Sequence, residues 1–152
     1  MPFQFSCHIW RSPKHQVEHF EYLHLDSSDP RTAVAHALAK GFGPTRSVLA
    51  YSPGVERRIL ENLAAAVPAQ GKKLLAIAKR LVEPLPIFQN HVYDARFFGS
   101  FSIKTVAPAL AGEKYDYDQL KVSDGMEARA IVERIMLSTE PRGTETLKLI
   151  EA

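Results

Sequence analysis

Phe3, Phe5, Cys7 and Ile9 alternate with Gln4, Ser6, His8 and Trp10, the period-two pattern of a strand with one face in a core. Arg11-Ser12-Pro13-Lys14-His15 turns the chain, and alternation resumes from Val17 to Leu25 with Phe20, Tyr22 and His24 on one side. The two segments are expected to pair as an antiparallel hairpin. Asp29-Pro30 then sets a capping carboxylate ahead of a proline at the first helical position. Val34, Leu38 and Phe42 recur every fourth residue, which predicts a helix that ends at Gly41-Phe42-Gly43-Pro44.

The centre of the pattern is Val48 to Tyr51, a short apolar run leading into Ser52-Pro53-Gly54 and an amphipathic segment. It reads as strand, turn and helix, with the strand in the same sheet as the hairpin and Ser52 capping a helix whose first residue is Pro53. Val55, Ile59, Leu60 and Leu63 form the inward stripe until Val67-Pro68 stops it. A third helix is expected from Lys72 to Val82, with Leu74, Leu75, Ala78, Leu81 and Val82 inward and Lys72, Lys73, Lys79 and Arg80 outward. Pro84 and Pro86 end it. Ile87 to Phe98 reads as irregular, Gly99 to Ser102 as a loop capping a short helix from Ile103 to Ala107, and Pro108 as the residue that kinks or ends that helix. Asp124-Gly125-Met126-Glu127 has the form of a capping box before a fourth helix, and Arg142 to Ala152 begins another. The class is α/β.

A chain of 152 residues fits one domain with one core. With 45% hydrophobic and 24% charged residues and no apolar run near the roughly 18 needed to cross a bilayer, a cytoplasmic protein without a membrane partner is expected. Cys7 is the only cysteine, so an internal disulfide and a cysteine-cluster zinc site are excluded; a thiol in a strand pattern reads as structural. Formal net charge is +2, with 19 Lys and Arg against 17 Asp and Glu. That excess does not by itself argue for nucleic acid.

Phosphate loops, nucleophile elbows and helical zinc motifs are missing from the sequence. His15 and His19 lie in a turn and a strand, which makes a metal pair improbable, whereas His8 and His24 on paired strands could share a face. Lys72, Lys73, Lys79, Arg57, Arg58, Arg80 and Lys104 could track a phosphate backbone, although a solvated helix face is the commoner meaning of such runs. The carboxylate best placed for chemistry is Glu56, because ligands of open α/β sheets sit beyond the carboxyl ends of strands. Its ordinary alternative is a helix-dipole contact.

Several segments, taken in order and spacing, resemble one family. These are Pro2-Phe3-Gln4-Phe5-Ser6-x-His8, Glu18-His19, Asp29-Pro30-Arg31 and Tyr51 with Glu56, then Gly99-Ser100-Phe101-Ser102-Ile103-Lys104-x-Val106-x-Pro108-Ala109-Leu110, Tyr117-x-x-Leu120 and Asp124-Gly125-x-x-Ala128. The family is the bacterial domain-of-unknown-function family 2779, and the resemblance spans nearly the whole chain. That family is similar to ribonuclease H-like 3′–5′ exonucleases with four acidic residues. The resemblance implies a mixed sheet flanked by helices and phosphodiester hydrolysis with two Mg²⁺ or Mn²⁺ ions held by several carboxylates.

The family pattern has an Asp-x-Glu on a strand before the Phe-Gln-Phe-Ser segment and a last Asp near its end, and this chain departs from it at both ends. Of the metal-binding set only Glu56 remains, and Glu83 stands where the family usually has Asp. The resemblance therefore implies a nuclease core acting on nucleic acid but inert as it stands, with Glu56 as catalytic residue and metal ligand. Tyr51, Ser100, Ser102 and Lys104 are its implied substrate contacts, and Gly99 to Lys104 is expected beside Glu56. Two other readings stand next to it: a non-catalytic module binding nucleic acid or protein, and a piece of a longer protein. A missing first strand would leave a sheet edge open to self-association.

Overall fold

The structure is a computed structural model that describes residues 1–44, 46–116 and 130. The helices expected from Asp124 and Arg142 onward lie outside the described residues. The chain divides into two compact units, the first built from residues 1–24 and 28–83 and the second from residues 25–27 and the chain from Pro84 onward.

The first unit opens with β1 (Gln4–Ile9) and β2 (Glu18–Leu23), paired antiparallel with Phe5 opposite Tyr22, Cys7 opposite Phe20 and His8 opposite His19. The expected hairpin is present. Its inner face is aromatic: the Phe5 ring lies 5.4 Å from Phe20 and 6.3 Å from both Tyr22 and Phe42, between centroids. The register corrects one expectation. Each pair sums to an odd number, so His8 faces His19 on the outer face while His24 points inward, and His8 and His24 share no face.

Helix α1 (Pro30–Gly41) starts as its sequence requires, with the Asp29 carboxylate accepting the Arg31 backbone N–H and Pro30 in the first turn. Val34, Ala35 and Leu38 are its buried stripe. It ends against the hairpin: a Cβ on Gly41 would stand 1.8 Å from a Phe20 ring carbon, so only glycine lets the ring lie on the last turn.

Strand β3 (Val48–Leu49) is shorter than the apolar run. It pairs in parallel with β4 (Leu81–Val82) rather than with the hairpin, so among the described residues there are two separate two-stranded sheets instead of one. The residues Leu81 and Val82 are therefore strand, not the end of a helix. Between the strands run α2 (Gly54–Ala66) and α3 (Pro68–Lys79). At the start of α2, Pro53 takes the cap position without a side-chain cap bond, and Ser52 does not cap. Pro68 stops α2 and at once opens α3, four residues before Lys72; a proline that cannot continue one helix is well suited to the first turn of the next. Leu74 and Ala78 are buried as expected; Leu75 and Val82 are not, and Ile77 takes the inward position. The core joins Val34, Leu38, Leu60, Leu63, Leu74 and Ile77.

In the second unit α4 (Leu85–His91) opens behind Pro84 at its cap with Pro86 in its first turn, where the sequence reads as irregular. A 3₁₀ turn (Ala95–Phe97) is capped by Asp94, whose carboxylate accepts the Arg96 N–H. Helix α5 (Ile103–Ala111) runs through Pro108 instead of stopping there, at the loss of one intrahelical bond. Phe97 and Val106 are buried in this unit, and the Phe97 ring meets Phe101 edge-on at 5.9 Å. A second 3₁₀ turn (Glu113–Tyr115) lies just beyond α5. No helix among the described residues is long and apolar enough to cross a membrane.

Gly41→Ala should destabilise the first unit by about 1–3 kcal/mol, since the Phe20 ring must leave its packed position; Phe20→Leu in the same chain should recover part of that loss, and denaturant unfolding of the single and double variants measures both. The Arg31 side chain, and then its backbone N–H, hold the Asp29 carboxyl at about 2 against an ordinary 3.8. A lowered folded value means that the contribution is present above pH ~4 and is lost as pH falls towards ~2. Asp29→Asn should flatten the decline of Tm across that window, and an unchanged Tm profile would contradict the role given to this cap.

Candidate functional site

Parallel pairing of β3 with β4 brings two strand ends side by side, with the Val48 N–H donating to Arg80 O at 3.0 Å and the Ala50 N–H to Val82 O at 3.2 Å. An acidic residue stands beyond the end of each strand. After β3 the chain turns through Tyr51 to Pro53 and enters α2, with Glu56 exposed in the first turn. After β4 comes Glu83, also exposed. Sequence reasoning put Glu83 behind a helix; the strand assignment of Leu81-Val82 moves it to the same kind of position as Glu56. The signal that could have found it is the pair of prolines at 84 and 86, which read equally well as the start of a new helix after a strand.

Glu56 borders an open groove of about 1070 Å³, contained entirely in the first unit. It is lined by β1 and Trp10, by Ser47 to Ala50, and by the apolar side chains of Leu38, Ile59, Leu60 and Ile77. Three arginines brace the unit through backbone carbonyls. Arg46 donates to Trp10 O and Arg11 O at 3.4 and 3.2 Å, and Arg80 donates to Arg46 O at 2.6 Å and Ala76 O at 3.1 Å. Arg57 crosses from α2 to Ala78 O at 2.9 Å, satisfying a carbonyl at the end of α3. Lys72, Lys73 and Lys79 are exposed as expected. Burial pushes the Tyr51 phenol and the Cys7 thiol up, which keeps both protonated and makes Cys7 a poor nucleophile.

Four histidines are engaged by neighbouring side chains. His19 stacks on His8 with centroids 4.7 Å apart and meets Ser6 Oγ at 2.8 Å, His15 is bonded to Ser12 Oγ through Nδ1, and buried His24 meets Tyr22 and Ser28. Among the described residues no group of three or more His, Cys, Asp or Glu side chains is arranged to hold a metal ion. One carboxylate at a groove does not fit a pair of Mg²⁺ or Mn²⁺ ions.

Tyr51 and Glu56 belong to the first unit, and Ser100, Ser102 and Lys104 to the second. The two serines serve α5. Ser102 Oγ accepts the Lys104 N–H at 3.3 Å, and Ser100 Oγ accepts the Ser102 N–H at 3.2 Å and the Thr105 hydroxyl at 3.5 Å. Just before them, Phe98 stands at φ 48° and is 91% exposed, with Gly99 next to it at φ 77°. An exposed aromatic residue held in left-handed backbone is costly for an L side chain and has no packing role to explain it. Tyr93, at 95% exposure, is a second exposed aromatic, in ordinary backbone, and neither was singled out from the sequence.

Searches of curated proteins and of solved structures return no match. The family model does: residues 1–102, of the chain's 152, match a domain of unknown function (DUF2779), and the chain belongs to that family.

Proposed function

We propose that this chain is the core of a ribonuclease H-like nuclease domain that handles nucleic acid, with no complete metal site among its described residues. The observation that carries the reading is the position of Glu56, in the first turn of α2 at the carboxyl end of β3 and on the rim of a groove, where open α/β sheets place their ligands. Glu83 after β4 supports it. The described residues do not fit a resident Mg²⁺ or Mn²⁺ ion, so no hydrolytic step is assigned to them.

In the second unit the exposed rings of Phe98 and Tyr93 supply what a single strand of nucleic acid needs in order to bind without base reading, a π-face for stacking. The reading with nucleic acid as partner is therefore tested separately for hydrolysis and for binding.

The 152-residue chain, incubated with end-labelled single-stranded DNA or RNA and Mg²⁺ or Mn²⁺, should leave the strand intact. Metal-dependent cleavage that survives Glu56→Gln would show that the site is elsewhere. Phe98→Ala should weaken binding of a single-stranded oligonucleotide by roughly 5- to 150-fold, the equivalent of about 1–3 kcal/mol for one stacked base. Fluorescence anisotropy reads the change, and unchanged affinity in both Phe98→Ala and Tyr93→Ala would remove nucleic-acid stacking from the proposal.

A further inference from the structure

The formal net charge of +2 hides an uneven distribution. Residues 1–24 and 28–83, the first unit, carry eleven Lys and Arg against six Asp and Glu, and the rest of the chain carries eight against eleven. An excess of five positive charges on one folding unit suits a polyanionic partner. Much of that charge is unanswered by carboxylates. Arg11 is paired with Glu18 and Arg31 with Asp29, whereas Arg46, Arg57 and Arg80 donate to backbone carbonyls and have no ion-pair partner among the described residues.

Two of these arginines meet the chain's one tryptophan. Trp10 directly follows β1, continues the alternation of Ser6 and His8, and is 63% exposed. Arg46 Nη1 donates to the Trp10 and Arg11 carbonyls, and Arg80 donates through Nη1 to the Arg46 carbonyl and through Nε to Ala76 O. Each guanidinium is thereby held from one side, and Arg46 Nε and Nη2 and Arg80 Nη2 keep N–H groups for a further acceptor. Glu18, the carboxylate that feels Arg46, is already gripped by Arg11 at 2.6 and 2.8 Å. Trp10, Arg46 and Arg80 line the same groove, with Arg46 and Arg80 just ahead of β3 and β4. Glu56 follows the other end of β3, beyond about 13 Å of extended chain from Arg46 to Ala50.

We infer that Trp10, Arg46 and Arg80 form a subsite for one nucleotide unit of a single strand, with a base stacked on the Trp10 indole and its phosphate held by the two guanidiniums. This rests on the nucleic-acid reading above and adds, to the ring contacts of the second unit, one that belongs to the first. The chemistry selects the occupant. A guanidinium is a planar fork that matches phosphate and carboxylate oxygens alike, so charge alone would admit an acidic peptide. The exposed indole gains nothing from a carboxylate, whereas every base offers it a π-face. That face is free in an unpaired strand and covered by neighbouring pairs in a duplex. Stacking tolerates any base, so the subsite grips a strand without reading its sequence. It stands apart from Glu56 and requires no catalytic activity of the chain.

Because Trp10 is the chain's one tryptophan, its emission reports on the subsite directly. Oligothymidylate titrated into the 152-residue chain should quench that emission saturably, with the midpoint that fluorescence anisotropy of the labelled strand gives. Trp10→Ala should weaken binding by roughly 5- to 150-fold. Arg46→Gln should make the slope of log affinity against log salt shallower by about 0.7, one phosphate contact of a single strand, and Trp10→Ala should leave that slope as it is. Circular dichroism checks that the variants fold; if Arg46→Gln does not, the quench in the unaltered chain decides. A strand that binds by anisotropy with Trp10 emission unchanged and affinity undiminished in Trp10→Ala would overturn this subsite and leave nucleic acid as the partner, while no binding at all would overturn both. Displacement of the strand by poly-glutamate with the same quench would make an acidic polypeptide the occupant and likewise overturn the inference.

Discussion

The first unit depends on the close approach of α2 and α3. A Cβ on Gly71 would stand 3.0 Å from the Ala64 carbonyl oxygen, so the small residues at 64 and 71 set how near the two axes come. With no loop between Ala66 and Pro68, the pair forms a tight hairpin of helices, and Leu63 and Leu74, almost fully buried, fill the space beside the contact. Each such side chain contributes about 1.5–3 kcal/mol by leaving water. The hairpin also determines where β4 begins relative to β3, because the crossover it makes is the only covalent route between the parallel strands. The Arg57 bond to Ala78 O ties the two helices at that end.

This support fixes the position of Glu56. The residue is exposed and makes no special local structure; what matters is that α2 must start directly above the carboxyl end of β3. Glu83 is placed by the same pairing through β4. Two acidic residues from separate parts of the chain thus arrive at adjacent strand ends, an arrangement produced by backbone hydrogen bonding rather than by any attraction between the side chains.

The groove is the other face of the same constraint. Helix α1, held to the hairpin by Gly41 under Phe20, and the α2–α3 pair, carrying β3 and β4, share one apolar core, yet the sheets above that core do not meet. The brace from Arg46 to Trp10 and Arg11 ties the chain just ahead of β3 to the chain just beyond β1.

Local rules in the amino-acid sequence determined the hairpin, the Asp29 cap, the stripe of α1, the position of Glu56 in a first turn and the serine caps of α5, because alternation, capping and periodicity act between residues close in the chain. Four things were decided only by tertiary structure. Leu81-Val82 continues the apolar stripe of α3 in its pattern and becomes strand because Val48 and Ala50 offer it hydrogen bonds. Pro68, Pro84 and Pro86 carry the same stop signal, and whether a proline ends a helix or opens one depends on where the next apolar face finds a partner. The phase that separates His8 from His24 is set by the strand register, which a turn of many residues does not specify. The separation of the hairpin from β3 was likewise not legible, since each strand pattern demands a covered face, which the helices supply, and says nothing about which edge lies beside it.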